Sequence, residues 1–314
     1  MTTISVIIAA HSDERWDDLV EAVNSIREQT RPVFETIVVV DRNPALLERA
    51  RSLSGVKCVE NGVTPGLGGA RNSGVQAANG SVVAFLDDDA VASKGWLEAL
   101  ARAYEAPEVL GAGGSIEPVW IAGKPRWFPD EFAWVVGCTY RGMPESNGSV
   151  RNLIGCNMSY RRNVVAELGG FRLGYGCDET DFCIRVRRRW PHGRLVFVPA
   201  ATVFHRVPPQ RARWKHFRTR CYFEGGSKAV VTWLVGSGDG LASERSYTIR
   251  TLPRGVARGL AETVRGDIGG LTRAGAIVAG LGITAAGYLV GKLRVMEAAE
   301  RRGWTESSGV SAVH

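Results

Sequence analysis

Between Arg185 and Arg220 the chain carries 11 Arg or Lys residues and not one acid. The gap stands out because, over all 314 residues, 39 Lys and Arg exceed 32 Asp and Glu by a net charge of only +7. Such a block reads either as a solvated face or as an attractor of phosphates or an anionic membrane surface. Nucleic acid is not the expected partner, because no helix-turn-helix, zinc-finger or RNA-recognition signature accompanies the charge. Paired cysteines are missing too. The six at 58, 138, 156, 177, 183 and 221 form no CxxC motif, so reduced thiols are expected and a disulfide or zinc framework is not. The opening "MTTISVIIAAHSDERW" has no basic n-region and enters a strand pattern within four residues. That excludes a secretory leader and sets the expectation of a cytoplasmic protein, with a peripheral seat at the inner face of the plasma membrane as its variant. No internal repeat is evident. Long hydrophobic runs are scarce, and residues 274–291, 18 uncharged residues between Arg273 and Lys292, sit at the short edge of what spans a bilayer. Rich in Ala and Gly, this stretch leaves three readings open: a span, an in-plane membrane contact, or a helix packed through small residues.

What is present is an ordinary globular composition, 45% hydrophobic and 23% charged, in a length that suits one large domain with or without an appendage. The first ~115 residues alternate strand-like and helix-like segments. "ISVIIAA" (4–10), "TIVVVD" (36–41), "VKCVE" (56–60) and "SVVAFL" (81–86) read as strands. Trp16, Leu19, Val20, Val23 and Ile26 recur at helical spacing, and 68–80 and 94–106 read as helices. Uncharged strands alternating with helices predict an α/β domain with a mainly parallel sheet covered on both faces. Ligands of such sheets bind beyond the carboxyl ends of strands, where strand order reverses. Further on, 178–190 reads as a helix with an acidic start and a basic end, 194–205 as a strand and 211–235 as a basic, aromatic helix. The aromatic segment 125–144 reads equally as a loop or lid and as a packed aromatic cluster.

The chemistry concentrates at strand ends. Asp87, Asp88 and Asp89 follow the 81–86 strand directly. Three adjacent carboxylates repel one another unless water screens them or a divalent cation neutralises them, and Mg²⁺ or Mn²⁺ on an Asp-x-Asp suits a nucleotide diphosphate. Asp41 ends another strand, placed to accept hydrogen bonds from a base or ribose. Arg71 and Asn72 begin a helix upstream, where a guanidinium meets a phosphate or a base edge. The glycines at 66, 68 and 69 do not make a dinucleotide fingerprint, because that motif follows the first strand and "HSDER" there has none. Asp178, Glu179 and Asp181 at a helix start read either as dipole-matching caps or as a site for a general base, whose pKa crowding would raise. His205 at a strand end is a candidate metal or phosphate ligand.

Taken in order, "ISVIIAAHSDERWDDLVEAVNSI", "TIVVVDRN", "GGARNSGVQAANGSVVAFLDDDA", "GCNMSYRRNVVAELGGFR", "DETDFCIRVRR" and "VPAATVFH" resemble the family 2 glycosyltransferases, inverting enzymes of GT-A fold, over roughly residues 3–225. "CYFEGGSKA" and the 125–144 segment look typical of an actinobacterial branch. The resemblance implies a GT-A domain over 1–225; beyond it, where the family assigns no general role, composition sets the expectation of a helical, membrane-associated extension over 226–302 and a disordered tail over 303–314. The resemblance also implies transfer of a hexose-type sugar from a nucleotide-diphosphate sugar, a UDP-sugar above others, to a hydroxyl acceptor, with Mg²⁺ or Mn²⁺. Ala9 and Asp41 would line the base pocket, and Arg71 and Asn72 would border the base or diphosphate. Asp87 and Asp88 would face ribose and metal, and Asp89 would ligate the metal with Asp87 and His205. Asn157 would face donor sugar or acceptor. The family's Glu-Asp pair is inverted here to Asp178-Glu179, which makes Glu179 the expected base and keeps Asp178 in play. The first strand ends in Ala9-Ala10-His11-Ser12 where the family has Pro-Thr-Tyr-Asn, and "DRNP" replaces a second acid and Gly-Ser, so base contacts depart from the family pattern. A nucleotidyltransferase is the rival enzyme reading, but it needs a Gly-rich basic loop after the first strand. A non-catalytic nucleotide-sugar or membrane-surface binding module is the rival of another class, opposed by the intact Asp89 and Glu179.

Overall fold

The computed structural model describes residues 2–172, 177–236 and 246–301. The tail expected over 303–314 lies outside them, as does part of the "GYGC" segment. Nine strands, β1 (Ile4–Ala10), β2 (Glu35–Val40), β3 (Val56–Glu60), β4 (Val82–Asp87), β5 (Ala90–Ala92), β6 (Val109–Trp120), β7 (Gly148–Ser149), β8 (Asn157–Arg161) and β9 (Arg194–Val207), form a single sheet. Its order is β3-β2-β1-β4-β8-β6-β9-β5, with β7 paired to β9. The uncharged runs β1, β2 and β4 are buried on both faces, as parallel strands under helices require. They pair in parallel with one another and with β3. Beyond β4 the sheet turns mixed: β8 runs antiparallel to both β4 and β6, and β5 antiparallel to β9.

Helices α1 (Trp16–Arg27), α2 (Pro44–Ala50), α3 (Leu67–Ala77), α4 (Trp96–Ala103), α5 (Arg162–Glu167) and α6 (Asp178–Arg189) cover the sheet. The amphipathic face of α1 buries Leu19, Ala22, Val23 and Ile26 in the larger core. Residues 125–144 adopt the packed alternative rather than a lid. A 3-10 turn at Asp130–Val136 carries buried Phe132 into a ring cluster with Phe128 and Phe217. Centroids stand 5.2 and 5.8 Å from Phe217, and Trp214 stacks on it at 5.1 Å.

Three further helices close the chain: α7 (Trp214–Val235), α8 (Leu252–Val264) and α9 (Gly269–Arg301). The boundary expected at residue 225 falls inside α7, whose first half joins the aromatic cluster and whose second half lies along α9. Glycines set that close approach: a Cβ at Gly225 would meet the Thr284 carbonyl oxygen at 2.1 Å, and one at Gly287 the Tyr222 carbonyl oxygen at 2.1 Å.

Candidate active site

Strand order reverses at β1 and β4, the switch point where the carboxyl ends of parallel strands border a crevice, and the acidic triplet lies there. Asp87 closes β4 opposite Ala9 of β1. Asp88 and Asp89 turn the chain into β5, and the antiparallel β5–β9 register sets Ala90 against His205. That register delivers the imidazole. His205 Nε2 lies 3.1 Å from Asp89 Oδ1, with both side chains nearly sealed from solvent. Two arginines hold the carboxylates from outside. Arg15, on the 3-10 turn after β1, donates to Asp88 at 2.8 Å and reaches Asp89 at 3.2 Å. Arg211 lies 3.6 Å from Asp89.

The two inner carboxylates differ in character. Burial, and the charges of Asp89 and Asp87, push the Asp88 carboxyl up to about 6 against the pull of Arg15. Burial opposes ionisation of Asp89 as well, but its hydrogen bond to His205, with Arg15 and Arg211, holds that carboxyl below the usual range. Asp88 Oδ2 is buried with no hydrogen-bond partner. A buried oxygen left unmatched beside two further carboxylates makes a donor set that a divalent cation would fit.

Among the described residues, donor atoms of Asp87, Cys156 and His205 lie within 4.8 Å of one another. Burial, with Asp87 and Asp89 adding to it, drives the Cys156 thiol well above its ordinary range, so it stays protonated. The ionised donors around His205 are therefore carboxylate oxygens, a set that fits Mg²⁺ or Mn²⁺.

Arg71 connects this end of the crevice to the other. It is 3% exposed, 3.8 Å from Asp87 Oδ1, and lies over the rings of Phe85 and Phe171. Gly155 makes room for it, since a Cβ there would stand 2.6 Å from Nη2. Asp41 follows β2 and accepts from Asn61 Nδ2 at 2.7 Å and the Gly66 amide at 2.8 Å, fixing the loop that leads into α3. Glu179 stands in the first turn of α6. Burial raises its pKa; Arg71 works against that rise, and Glu224 and Asp178 add to it. Arg71 thus faces Asp87 at 3.8 Å and is also the cation that opposes the rise at Glu179. Asp181, by contrast, is fully buried and held by Arg185 at 2.8 Å and Arg172 at 3.4 Å, the structural reading of that cluster.

Two expected residues have their polar atoms engaged elsewhere. Asn157 accepts from Trp96 Nε1 at 2.8 Å and donates to the carbonyls of Ala201 and Ser115, so its amide braces β6, β8 and β9 from inside. Asn72 donates to the Phe171 carbonyl at 2.9 Å and accepts from the Phe171 amide at 2.8 Å, stapling that segment to α3. Sequence reasoning missed Arg15, Cys156 and Arg211. Cys156 had a signal, standing next to Asn157 in a motif already singled out; Arg15 and Arg211 had only their charge.

Residues 5–169 match the family model described as Glycosyl transferase family 2. The chain is 33% identical over 244 residues to the Glucosyl-dolichyl phosphate glucuronosyltransferase of Haloferax volcanii, covering 74% of this chain and 78% of that protein. It is 31% identical over 151 residues to the Succinoglycan biosynthesis protein ExoM of Rhizobium meliloti, where it spans only 45% of the relative's length. The mannosyltransferase PcManGT from Pyrobaculum calidifontis, solved with GDP-Man and Mn²⁺, superposes with a TM-score of 0.56 at 16% identity over 92% of this chain and 87% of its own. GalNAc-T7, solved with UDP, GalNAc and Mn²⁺, gives 0.53 at 17% identity over 74% and 50%. These likenesses make the architecture GT-A, and with the family match spanning more than half of the residues the chain belongs to glycosyl transferase family 2 and is a glycosyltransferase.

Proposed function

We propose that this glycosyltransferase is metal-dependent and inverting, and that it moves a sugar from a nucleoside-diphosphate donor to a hydroxyl of a lipid-linked acceptor. The observation that carries the reading is the Asp89–His205 pair at 3.1 Å beside Asp87, with a buried, unmatched Asp88 oxygen next to it. Asp87, Asp89 and His205 would hold the cation, which supplies charge neutralisation to the departing diphosphate. Arg71, buried and aimed at Asp87, adds a fixed positive charge toward the same leaving group. Asp41 and Ala9, at the carboxyl ends of β2 and β1, border the base. Glu179 takes the proton of the attacking hydroxyl. Its raised pKa keeps it a stronger base than a free glutamate, and direct displacement from the opposite face inverts the anomeric carbon. A UDP-sugar is the first donor to try, because GalNAc-T7 was solved with UDP; GDP-Man in PcManGT is the second. The lipid-linked acceptor is supported by the Haloferax relative, whose name specifies a glucosyl-dolichyl phosphate. The test is release of nucleoside diphosphate from a panel of nucleotide sugars with Mn²⁺. Turnover is expected to vanish with EDTA and to fall about 10²-fold or more in Asp89→Ala. Activity that survives both removes the metal from the proposal.

A further inference from the structure

Helices α8 and α9 leave one apolar face uncovered. Leu271, Val278, Leu289, Leu293 and Met296 of α9 are all exposed. At 3.6 residues per turn these five fall within about 40° of a single line, which runs ~38 Å along the helix. Gly275, Gly282 and Ala285 fill the line between them, exposed and uncharged. The opposite side of α9 is committed. Ile277 is 2% exposed in the main core, and a Cβ on Gly280 would strike Phe132 and Phe217. At the α8–α9 turn, Val264 is 89% and Ile268 73% exposed. Soluble monomers rarely leave a continuous apolar strip of this length in water.

The charges beside the strip have one dominant sign. Arg250, Arg254, Arg265 and Lys292 are exposed, as is Arg294 further round α9. The acids Glu262 and Asp267 are engaged by Arg273 and Arg126. Among residues 246–297, Glu297 is the exposed acid that stands against these five cations. We infer that this face rests on an anionic lipid bilayer, with the axis of α9 in the membrane plane, the strip at the acyl boundary and the cations on lipid phosphates. Composition alone lets α9 cross a membrane, with a mean hydropathy of 1.7 over an 18-residue stretch within Gly269–Glu297. Crossing would tear Ile277 and Gly280 from the core, whereas lying flat uses the apolar face and keeps the packed one. The 130–136 turn that receives Gly280 ends at Gly137 and Cys138, and Cys138 Sγ stands 3.7 Å from His205 Nδ1. The body of α9 and the aromatic cluster it packs on therefore stand between the bilayer and His205; the lipid-linked acceptor proposed above would come from that membrane, and the inference on membrane binding itself does not rest on that proposal.

The experiment is co-sedimentation of the full chain with vesicles of phosphatidylcholine, and of phosphatidylcholine with about one third phosphatidylglycerol. The expected result is at least ~10-fold stronger binding to the anionic vesicles, weakened by salt. Leu289→Asp with Leu293→Asp, and separately Arg254→Glu with Arg265→Glu, are expected to abolish it while thermal stability and donor hydrolysis without vesicles stay unchanged. Equal binding to both vesicles, or no binding to either, overturns the inference. So does a dimer in solution that Leu289→Asp dissociates in a protein indifferent to vesicles, which would give the face to a second copy. Donor hydrolysis that fails while vesicle binding persists would sink the catalytic reading alone.

Discussion

Glu179 combines burial with two carboxylate neighbours, and Arg71 opposes the rise in its pKa without cancelling it. As a base it must be ionised, so kcat is expected to fall as pH drops through a value above the ordinary glutamate range. Glu179→Gln should lower kcat by about 10³-fold while donor binding persists, and Asp178→Asn much less; equal losses in the two variants would move the base to Asp178. Stability has the opposite sign. A carboxyl whose folded pKa is raised stabilises the fold below the ordinary value and loses that contribution as pH rises through the raised one. Glu179→Gln should therefore melt no lower than the parent at pH 8, and a marked drop would mean the ionised form is structurally required. Arg15 makes a second case. Removing it leaves Asp88 and Asp89 short of a counter-charge, and Arg15→Ala should cost about 2 kcal/mol, discounted because the guanidinium is partly exposed. Thermal melts without metal measure it, with Arg15→Lys recovering part of the loss. The triplet and Asp41 were legible in sequence because they follow apolar strands directly; Arg71 and His205 were legible from their motifs, although Arg71 lies in the second turn of α3 and His205 two residues short of the end of β9. Arg15 was not, since it meets a carboxylate 73 residues away and "HSDER" shows locally only that a glycine is missing.

Helices and strands were legible where one period ruled them. The apolar runs of β1, β2 and β4 and the 3.6-residue repeat of α1 sit within a residue or two of expectation. β6 was invisible because Gly111, Gly113, Gly114 and Pro118 argue against a strand. Its glycines answer to packing instead: a Cβ at Gly114 would stand 1.9 Å from the Ala201 carbonyl oxygen, where β6 shifts register against β9. Tertiary contact overrides propensity there. β5 and β8 are short and derive their register from distant strands, so local pattern could not reveal them. The α7–α9 pair follows the same logic and allows a test. Gly287→Val puts two methyl groups where the Tyr222 carbonyl lies at 2.1 Å from the first added carbon. Overpacking of this kind costs about 3 kcal/mol, and the melting temperature should fall by several degrees. A neutral substitution would show that α7 and α9 are not packed this closely in solution.

Across the whole molecule, the crevice sets three carboxylates on one side against Arg15, Arg71 and Arg211, drawn from β1's exit, α3 and the segment after β9. Composition and motif order made the parallel half of this sheet legible; the antiparallel half, which brings Cys156 and His205 to Asp87, depends on the pairings of Leu86 with Asn157 and of Ala90 with His205, 71 and 115 residues apart, which no local signal encodes. That assembly has a thermodynamic consequence. A nucleoside diphosphate entering alone brings negative charge toward Asp87, Asp88 and Asp89, and Mn²⁺ entering alone gains only the protein's own ligands. Together each removes the other's obstacle, so the stabilisation by UDP and Mn²⁺ should exceed the sum of the two separately. At ~100 times the dissociation constant a ligand adds about 2.7 kcal/mol to the folded state, which in a chain of this size raises the melting temperature by about 5 °C or more. Asp89→Ala should abolish the synergy while leaving the metal-free shift with UDP intact or enlarged, because one repelling carboxylate is gone. If UDP alone shifts the parent as far as UDP with Mn²⁺, the carboxylates do not recruit a cation for the diphosphate, and Arg71 with its neighbouring arginines must carry the leaving group unaided.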